Sequence, residues 1–164
     1  MVRNMILGYI ILLLVTATAN VSFAVNFIVN TTGDGENNAV TGDLDITDSL
    51  KIIGANRDTT IINGNGSDRV FHLYSSMIVS GVTITNGDAT GNSDGDRDGG
   101  GIFVNYNFGV TINITNTVIT ANRARRGGGI SHNTAQPFTI VNSSITSNTA
   151  PLGGGIYNYV HSSR

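Results

Sequence analysis

The acidic segment before the first glycine triplet contains the residue types and spacing that could most readily do chemistry. Asp94, Asp96 and Asp98 alternate with other residues, and Gly99 follows them in the pattern D-x-D-x-D-G. Alternate carboxylates beside a turning glycine can wrap a cation that prefers oxygen ligands, and calcium is the expected ion. A solvated acidic loop without a bound ion is the other interpretation of these residues.

A group of basic residues offers a rival partner for these carboxylates. Arg123, Arg125 and Arg126 precede the second glycine triplet as the three aspartates precede the first. If copies of the repeat stack, the two groups occupy the same edge on adjacent coils and pair as surface salt bridges, each contributing at most ~1 kcal/mol. The sequence favours this pairing over a metal site or a catalytic arginine.

The histidines and serines indicate no further catalytic set. We assign His72 and His132 to the same point of the repeat, two coils and ~10 Å apart, which is too far for a hydrogen-bonded pair. With His161, they are expected to be turn or surface residues, and Asp68-Arg69 is expected to be a turn ion pair. No serine lies in a G-x-S-x-G elbow, and there is no cysteine.

A repeated phrase must position all of these residues. It begins GGGIF at Gly99, GGGIS at Gly127 and GGGIY at Gly153, so its successive starts are almost evenly spaced. Shifting residues 112–120 forward by 26 places them on residues 138–146, with apolar and polar residues matched. A fixed period of this kind is typical of a stacked repeat.

Each copy holds short runs rich in Ile, Val and Thr, broken by Gly, Asn and Ser, with apolar residues at alternate positions. Such runs predict strands buried on one face, and one repeat must stack on its neighbours to bury that face. We therefore predict an all-β right-handed parallel β-helix solenoid, pectate-lyase-like, with coils of about 26 residues. The predicted ladders are Ile114 with Ile140, Ile119 with Ile145, Ile130 with Ile156, and, at bends, Asn116 with Asn142 and Asn122 with Asn148.

The start of the chain predicts export. Arg3 precedes an almost wholly apolar run over residues 6–15, and small residues follow up to Ala24. This run is shorter than the ~20 residues that span a bilayer, so residues 1–24 are interpreted as a cleaved signal peptide. Residues 25–164 form the β-helix domain, which we expect to be truncated at its C-terminus and to have no membrane span.

Composition limits the class of partner. The 164 residues carry a net charge of −2, and 12% of them are charged. Without a basic patch, nucleic acid is not an expected partner, and without cysteine the chain is not a disulfide scaffold.

The segment GDLDITDSLKIIGANRDTTIINGNGSDRVFHL, residues 42–73, together with the GGGI repeats, resembles a set of exported bacterial proteins. These are right-handed parallel β-helix repeat proteins, often with a CSLREA-type N-terminal region, and the chain also looks similar to the polymorphic outer membrane proteins. The resemblance implies secretion or display at the cell surface or outer membrane, and it implies no particular reaction.

Two functions follow as hypotheses. The first, which the sequence favours, is a non-enzymatic, monomeric, adhesin-like or structural module whose outward Thr, Asn and Tyr rows, such as Thr115 and Tyr157, contact host or matrix glycans or proteins. The second is a fragment of a calcium-dependent polysaccharide lyase or another carbohydrate-active β-helix enzyme. In it the three aspartates would hold calcium, and Arg123 or Arg125 would act as the base.

Overall fold

The computed structural model describes residues 25–28, 43–91, 97–104 and 109–159. Within these ranges the chain forms short strands and one 3-10 turn at Ala89–Gly91. The strands are β1 (Val25–Ile28), β2 (Leu44–Ile46), β3 (Leu50–Ile53), β4 (Thr60–Asn63), β5 (Phe71–Leu73), β6 (Met77–Ser80), β7 (Thr83–Thr85), β8 (Ile102–Val104), β9 (Ile112–Thr115), β10 (Val118–Thr120), β11 (Ile130–His132), β12 (Phe138–Val141), β13 (Ser144–Thr146) and β14 (Ile156–Asn158).

These strands form three parallel sheets. The first sheet has the order β1-β4-β7-β10-β13, the second β14-β11-β8-β5-β2, and the third β12-β9-β6-β3. Neighbours in a sheet are three strands apart along the chain, so each coil contributes one strand to each sheet. The described chain is thus all-β, and its stacked parallel strands fit a parallel β-helix.

The predicted aliphatic ladders are confirmed. Ile114 is the register partner of Ile140, Ile119 of Ile145, and Ile130 of Ile156. The first member of each pair has no solvent exposure, because it lies between coils and faces the apolar interior. Fully burying a side chain of this size stabilises the fold by about 1.5–3 kcal/mol.

The asparagines at the bends are also confirmed. Asn116 and Asn142 have left-handed φ angles of 48° and 50°, which asparagine tolerates better than most residues. Asn122 is buried, and its Nδ2 donates a hydrogen bond to Asn148 Oδ1 over 3.0 Å. Side-chain amides therefore bond from coil to coil at one corner of the structure.

The glycine triplets form another corner. The first glycine of each triplet has a positive φ, at 65° for Gly99, 60° for Gly127 and 62° for Gly153. A Cβ atom on the next residue of the first triplet, Gly100, would collide with the carbonyl oxygen of Arg123. The repeated glycines thus satisfy both a left-handed backbone and a close approach between coils.

Several predictions fall outside the described residues. These are the signal peptide over residues 1–24, the carboxylates of Asp94 and Asp96, and His161. In the part of the chain that is described, no helix has the length and apolar character needed to cross a membrane.

Candidate functional site

The predicted pairing between aspartate and arginine on adjacent coils is confirmed for Asp98 and Arg126. Their backbones form a parallel bridge, which follows from the alignment of two successive glycine triplets. Arg126 Nε donates to Asp98 Oδ1 over 3.0 Å, and Nη2 lies 2.6 Å from Oδ2. This two-point contact is the geometry in which a guanidinium best matches a carboxylate.

The surface character predicted for this pair is wrong for Asp98. Asp98 is only 2% exposed, whereas the Arg126 side chain is 27% exposed and its guanidinium carbon lies 5.3 Å from the centre of the Tyr157 ring. The hydrogen bond to Asp98 raises the pKa of Arg126. Arg125 Nε lies 3.9 Å from Asp98 Oδ1, so two arginines face one buried carboxylate. Calcium binding by Asp94, Asp96 and Asp98 stays a prediction.

A second charged group lies on the outer side of the second sheet, and we call it the Arg69 cluster. It consists of Asp43, Asp45, Asp68, Arg69 and His72. Asp45 on β2 is the register partner of His72 on β5, while Asp43 directly precedes β2 and Asp68 and Arg69 lie shortly before β5. Parallel pairing of β2 and β5 therefore assembles the cluster from two segments of the chain.

Arg69 is the centre of the cluster. Its Nε lies 3.1 Å from Asp43 Oδ2 and 3.7 Å from Asp68 Oδ1. The three side chains are at most 3% exposed, and the Arg69 guanidinium lies 5.0 Å from the centre of the Phe103 ring on the next coil. The predicted ion pair between Asp68 and Arg69 is present, but it is buried and shared with a third residue.

His72 lies between Asp45 and the buried pair of Asp43 and Arg69. Its Nδ1 lies 3.4 Å from Asp45 Oδ1 and 3.8 Å from Asp43 Oδ2. The ring is held between aromatic neighbours, with its centroid 4.1 Å from that of Tyr74 and 4.9 Å from that of Phe103. His72 is 6% exposed, whereas the Asp45 side chain is 51% exposed. The cluster therefore has one open side.

Burial sets the ionisation of the cluster. Desolvation, together with the nearby Asp68 carboxylate, raises the pKa of Asp43 to about 7. Desolvation, reinforced by the Arg69 charge, lowers the pKa of His72 to about 3. The imidazole is therefore neutral at neutral pH, next to a carboxyl group that titrates there. Such groups can hold or pass a proton, and their lone pairs can bind a cation.

The prediction that the histidines share one repeat position is wrong. His132 is the register partner of Val104, which in turn pairs with Leu73, whereas His72 pairs with Phe103. Because side chains alternate between the faces of a strand, this offset of one residue places the two histidines on opposite faces.

His132 is consequently an interior residue rather than a surface or turn residue. It is 1% exposed, its Nδ1 lies 3.1 Å from Asn158 Oδ1, and its ring centroid lies 4.6 Å from that of Phe138. Burial lowers the pKa of His132. The apolar interior accepts a neutral imidazole here because the next coil supplies an amide partner.

Sequence reasoning missed the Arg69 cluster because its residues are not repeated. The available signal was the length of the early coils, since the shift along the chain that carries Leu50 to Met77 also carries Asp45 to His72. Leu50 and Met77 are both apolar, so their similarity reveals the register of β3 and β6. Asp45 and His72 differ in residue type, so similarity does not reveal the register of β2 and β5.

Comparisons with known proteins identify no relative. No protein-family model, no curated protein and no solved structure matches this chain.

Proposed function

We propose that this chain is an exported, non-enzymatic repeat module of the right-handed parallel β-helix class. It is secreted or displayed at the cell surface or outer membrane, where it contacts glycans or proteins of a host or matrix. The observation that carries the proposal is the outer face of the third sheet, where exposed apolar side chains lie among polar ones.

The third sheet has contrasting sides. Its inward rows include Met77, Val79 and Ile112, none of which is more than 1% exposed. On the outward side, Ile78 remains 44% exposed, although its register partner Asn113 lies directly beside it. Exposed apolar side chains on a flat surface are a common feature of contact sites.

The outer face of the third sheet consists of two rows that run across the coils. One row is Lys51, Ile78, Asn113 and Thr139, and the other is Ile53, Ser80, Thr115 and Val141. Ile53 is 58% exposed and Val141 is 44% exposed. Successive residues of a row are spaced by about 4.8 Å, the distance between neighbouring strands. An extended polymer lying across the strands would meet repeated apolar and hydrogen-bonding groups.

Binding of the purified secreted chain to arrays of glycans and matrix proteins tests this proposal. We expect at least one ligand to bind, and Ile78→Ser to weaken its binding at least tenfold. Leu152→Ser is the matched control, because Leu152 is 53% exposed and lies outside the third sheet. If the chain binds no ligand on any array, or if both variants lose the same affinity, the proposed contact surface is contradicted.

The export and non-enzymatic parts need separate tests. Residues 1–24 fused to a reporter enzyme should direct its secretion, and retention of the reporter would contradict export. Incubation of the chain with polygalacturonate and calcium should yield no unsaturated product. Formation of that product would instead support the lyase hypothesis.

A further inference from the structure

We propose that Asp43, Asp45 and His72 bind a divalent transition-metal ion of the zinc or manganese class on the outer side of the second sheet. This site uses none of the residues of the acidic segment 94–98 or of the outer face of the third sheet. It does not depend on the proposed adhesive function.

The ligand atoms have a suitable arrangement. One atom from each of Asp43, Asp45 and His72 lies within 4.8 Å of the other two. His72 Nδ1 is 3.4 Å from Asp45 Oδ1 and 3.8 Å from Asp43 Oδ2. Ligands placed about 2.0–2.2 Å from a tetrahedral zinc ion are separated from one another by about 3.3–3.6 Å. Small side-chain movements would therefore bring all three atoms to a common ion.

The charge of the surroundings favours a divalent cation. Asp43, Asp45 and Asp68 supply three carboxyl groups, while Arg69 supplies one guanidinium and His72 one imidazole. Acidic side chains therefore outnumber basic ones among these five residues. Asp43 and Asp68 are buried, so water screens their attraction to a bound cation poorly.

The ligand types select the class of ion. An imidazole nitrogen suits zinc and related transition metals, whereas calcium and magnesium prefer sites made of oxygen atoms. His72 Nδ1 faces both ligand carboxylates, so it is the nitrogen that would coordinate the ion. Arg69 Nε contacts Asp43 Oδ2 and would orient this carboxylate from behind, as outer-shell groups do in metal sites. The exposed side chain of Asp45 supplies a route of entry.

Calorimetric titration of the untagged full chain, after dialysis against a chelator, tests the proposal. Zn²⁺, Mn²⁺ and Ca²⁺ are titrated separately. We expect one Zn²⁺ per chain, bound at least tenfold more tightly than Ca²⁺, and Co²⁺ in the same site should show visible ligand-field absorption. Absence of saturable Zn²⁺ binding, or tighter binding of Ca²⁺, would overturn the assignment.

Two variants locate the ion. Asp45→Asn changes a half-exposed side chain and should preserve the fold, while His72→Asn removes the nitrogen ligand; each should weaken Zn²⁺ binding at least tenfold. Asp48→Asn, which changes an exposed aspartate outside the cluster, should leave the affinity unchanged. Circular dichroism verifies that each variant is folded. If Zn²⁺ binding survives both Asp45→Asn and His72→Asn, the ion is held elsewhere and the proposal is wrong.

Discussion

Asp98 and Arg69 are both 2% exposed charged residues on the outer side of the coils, but their surroundings compensate them in opposite ways. Asp98 faces Arg126 at two points, and Arg125 Nε lies 3.9 Å from Asp98 Oδ1, so one buried carboxylate faces two arginines. Arg69 faces Asp43 and Asp68, so one buried guanidinium faces two buried carboxyl groups. The same ladder geometry therefore places two arginines around one carboxylate at one site and two carboxyl groups around one arginine at the other.

This difference appears in the ionisation of the two sites. At the Asp98 site, the hydrogen bond to the carboxylate raises the pKa of Arg126, which favours the charged pair. In the Arg69 cluster, burial and the Asp68 charge raise the pKa of Asp43 to about 7, which favours a neutral carboxyl group. The first arrangement stabilises the fold as it stands, whereas the second would gain from an added cation or proton.

The largest expected effect is that of removing the central cation of the cluster. Arg69→Met should lower the free energy of unfolding by about 3–5 kcal/mol, because it leaves buried carboxylates without their counter-charge. Arg126→Met is the matched control and should cost less, about 2 kcal/mol, since Arg125 remains near Asp98. Denaturant unfolding with a chelator present measures both. Equal losses would remove the distinction between the two sites.

Neutralising one carboxylate at each site should change stability in opposite directions. Asp98→Asn should cost about 1.5–3 kcal/mol, because it weakens two hydrogen bonds to a charged partner. Asp43→Asn at pH 8 should raise the free energy of unfolding by about 1 kcal/mol, since burial and the nearby Asp68 carboxylate disfavour an ionised Asp43. Unfolding curves of the two variants and the wild type, with chelator, give the comparison. A loss in Asp43→Asn as large as that in Asp98→Asn would show that the cluster is already balanced.

The two sites were unequally accessible to prediction. The pair of Asp98 and Arg126 could be found because each residue directly precedes a glycine triplet. Aligning the two triplets gives the register between the two coils. In the early coils the offset varies, since the coil from Phe71 to its partner Ile102 is longer than the coil from Ile112 to its partner Phe138. Insertions at the turns change the number of residues between register partners, and no repeated motif marks where they occur. The sequence therefore does not show which side chains become neighbours.

Burial was harder to predict than register. The sequence identified Asp98 as a partner of arginine but placed it at the surface, and the same reasoning placed His132 there. A repeat pattern assigns residues to rows, but burial of an outward row depends on the neighbouring chain that covers it. For His132, a register error of one residue reversed the face.

The pH dependence of stability should separate the two shifted groups of the cluster. The pKa of Asp43 is raised in the folded state, so its contribution is full below about pH 4 and is lost as the pH rises to about 7. The pKa of His72 is lowered, so its contribution is full above about pH 6.5 and is lost as the pH falls toward 3. The two slopes therefore oppose each other between about pH 4 and 6.5 in the wild type.

Single variants should expose these slopes. In chelator-treated protein, His72→Asn should become less stable with rising pH, and Asp43→Asn should become more stable, each by about 1 kcal/mol per pH unit. Asp45, Asp68 and Arg69 remain in both variants, so the difference isolates the titrating residue. Parallel profiles for the two variants would contradict the assigned directions.

The smallest effect is expected at the exposed pair on the edge that also carries Asp98. Arg123 Nη1 lies 3.9 Å from Asp88 Oδ2, and the Arg123 side chain is 64% exposed. Arg123→Ala should change the free energy of unfolding by less than about 1 kcal/mol, because solvent screens such pairs. Thermal and denaturant unfolding measure this change. A loss as large as that of Arg126→Met would show that exposure does not separate these pairs.

The central claim is that parallel stacking of the early coils brings Asp45 beside His72. Lys51 and Ile78 lie on the exposed face of the third sheet, and their spacing along the chain equals that of Asp45 and His72. Neighbouring strands are about 4.8 Å apart, within the range that a disulfide can bridge. Because the chain has no cysteine, cross-linking of Lys51→Cys/Ile78→Cys is the most direct test.

The control pair is Lys51→Cys/Thr139→Cys, which lies in the same row but is separated by three coils, about 14 Å. Under mild oxidation, mass spectrometry should detect rapid intramolecular cross-linking of the first pair and little or none of the second. Equal rates for the two pairs, or no cross-link in the first, would contradict the stacking register and with it the assembly of the Arg69 cluster.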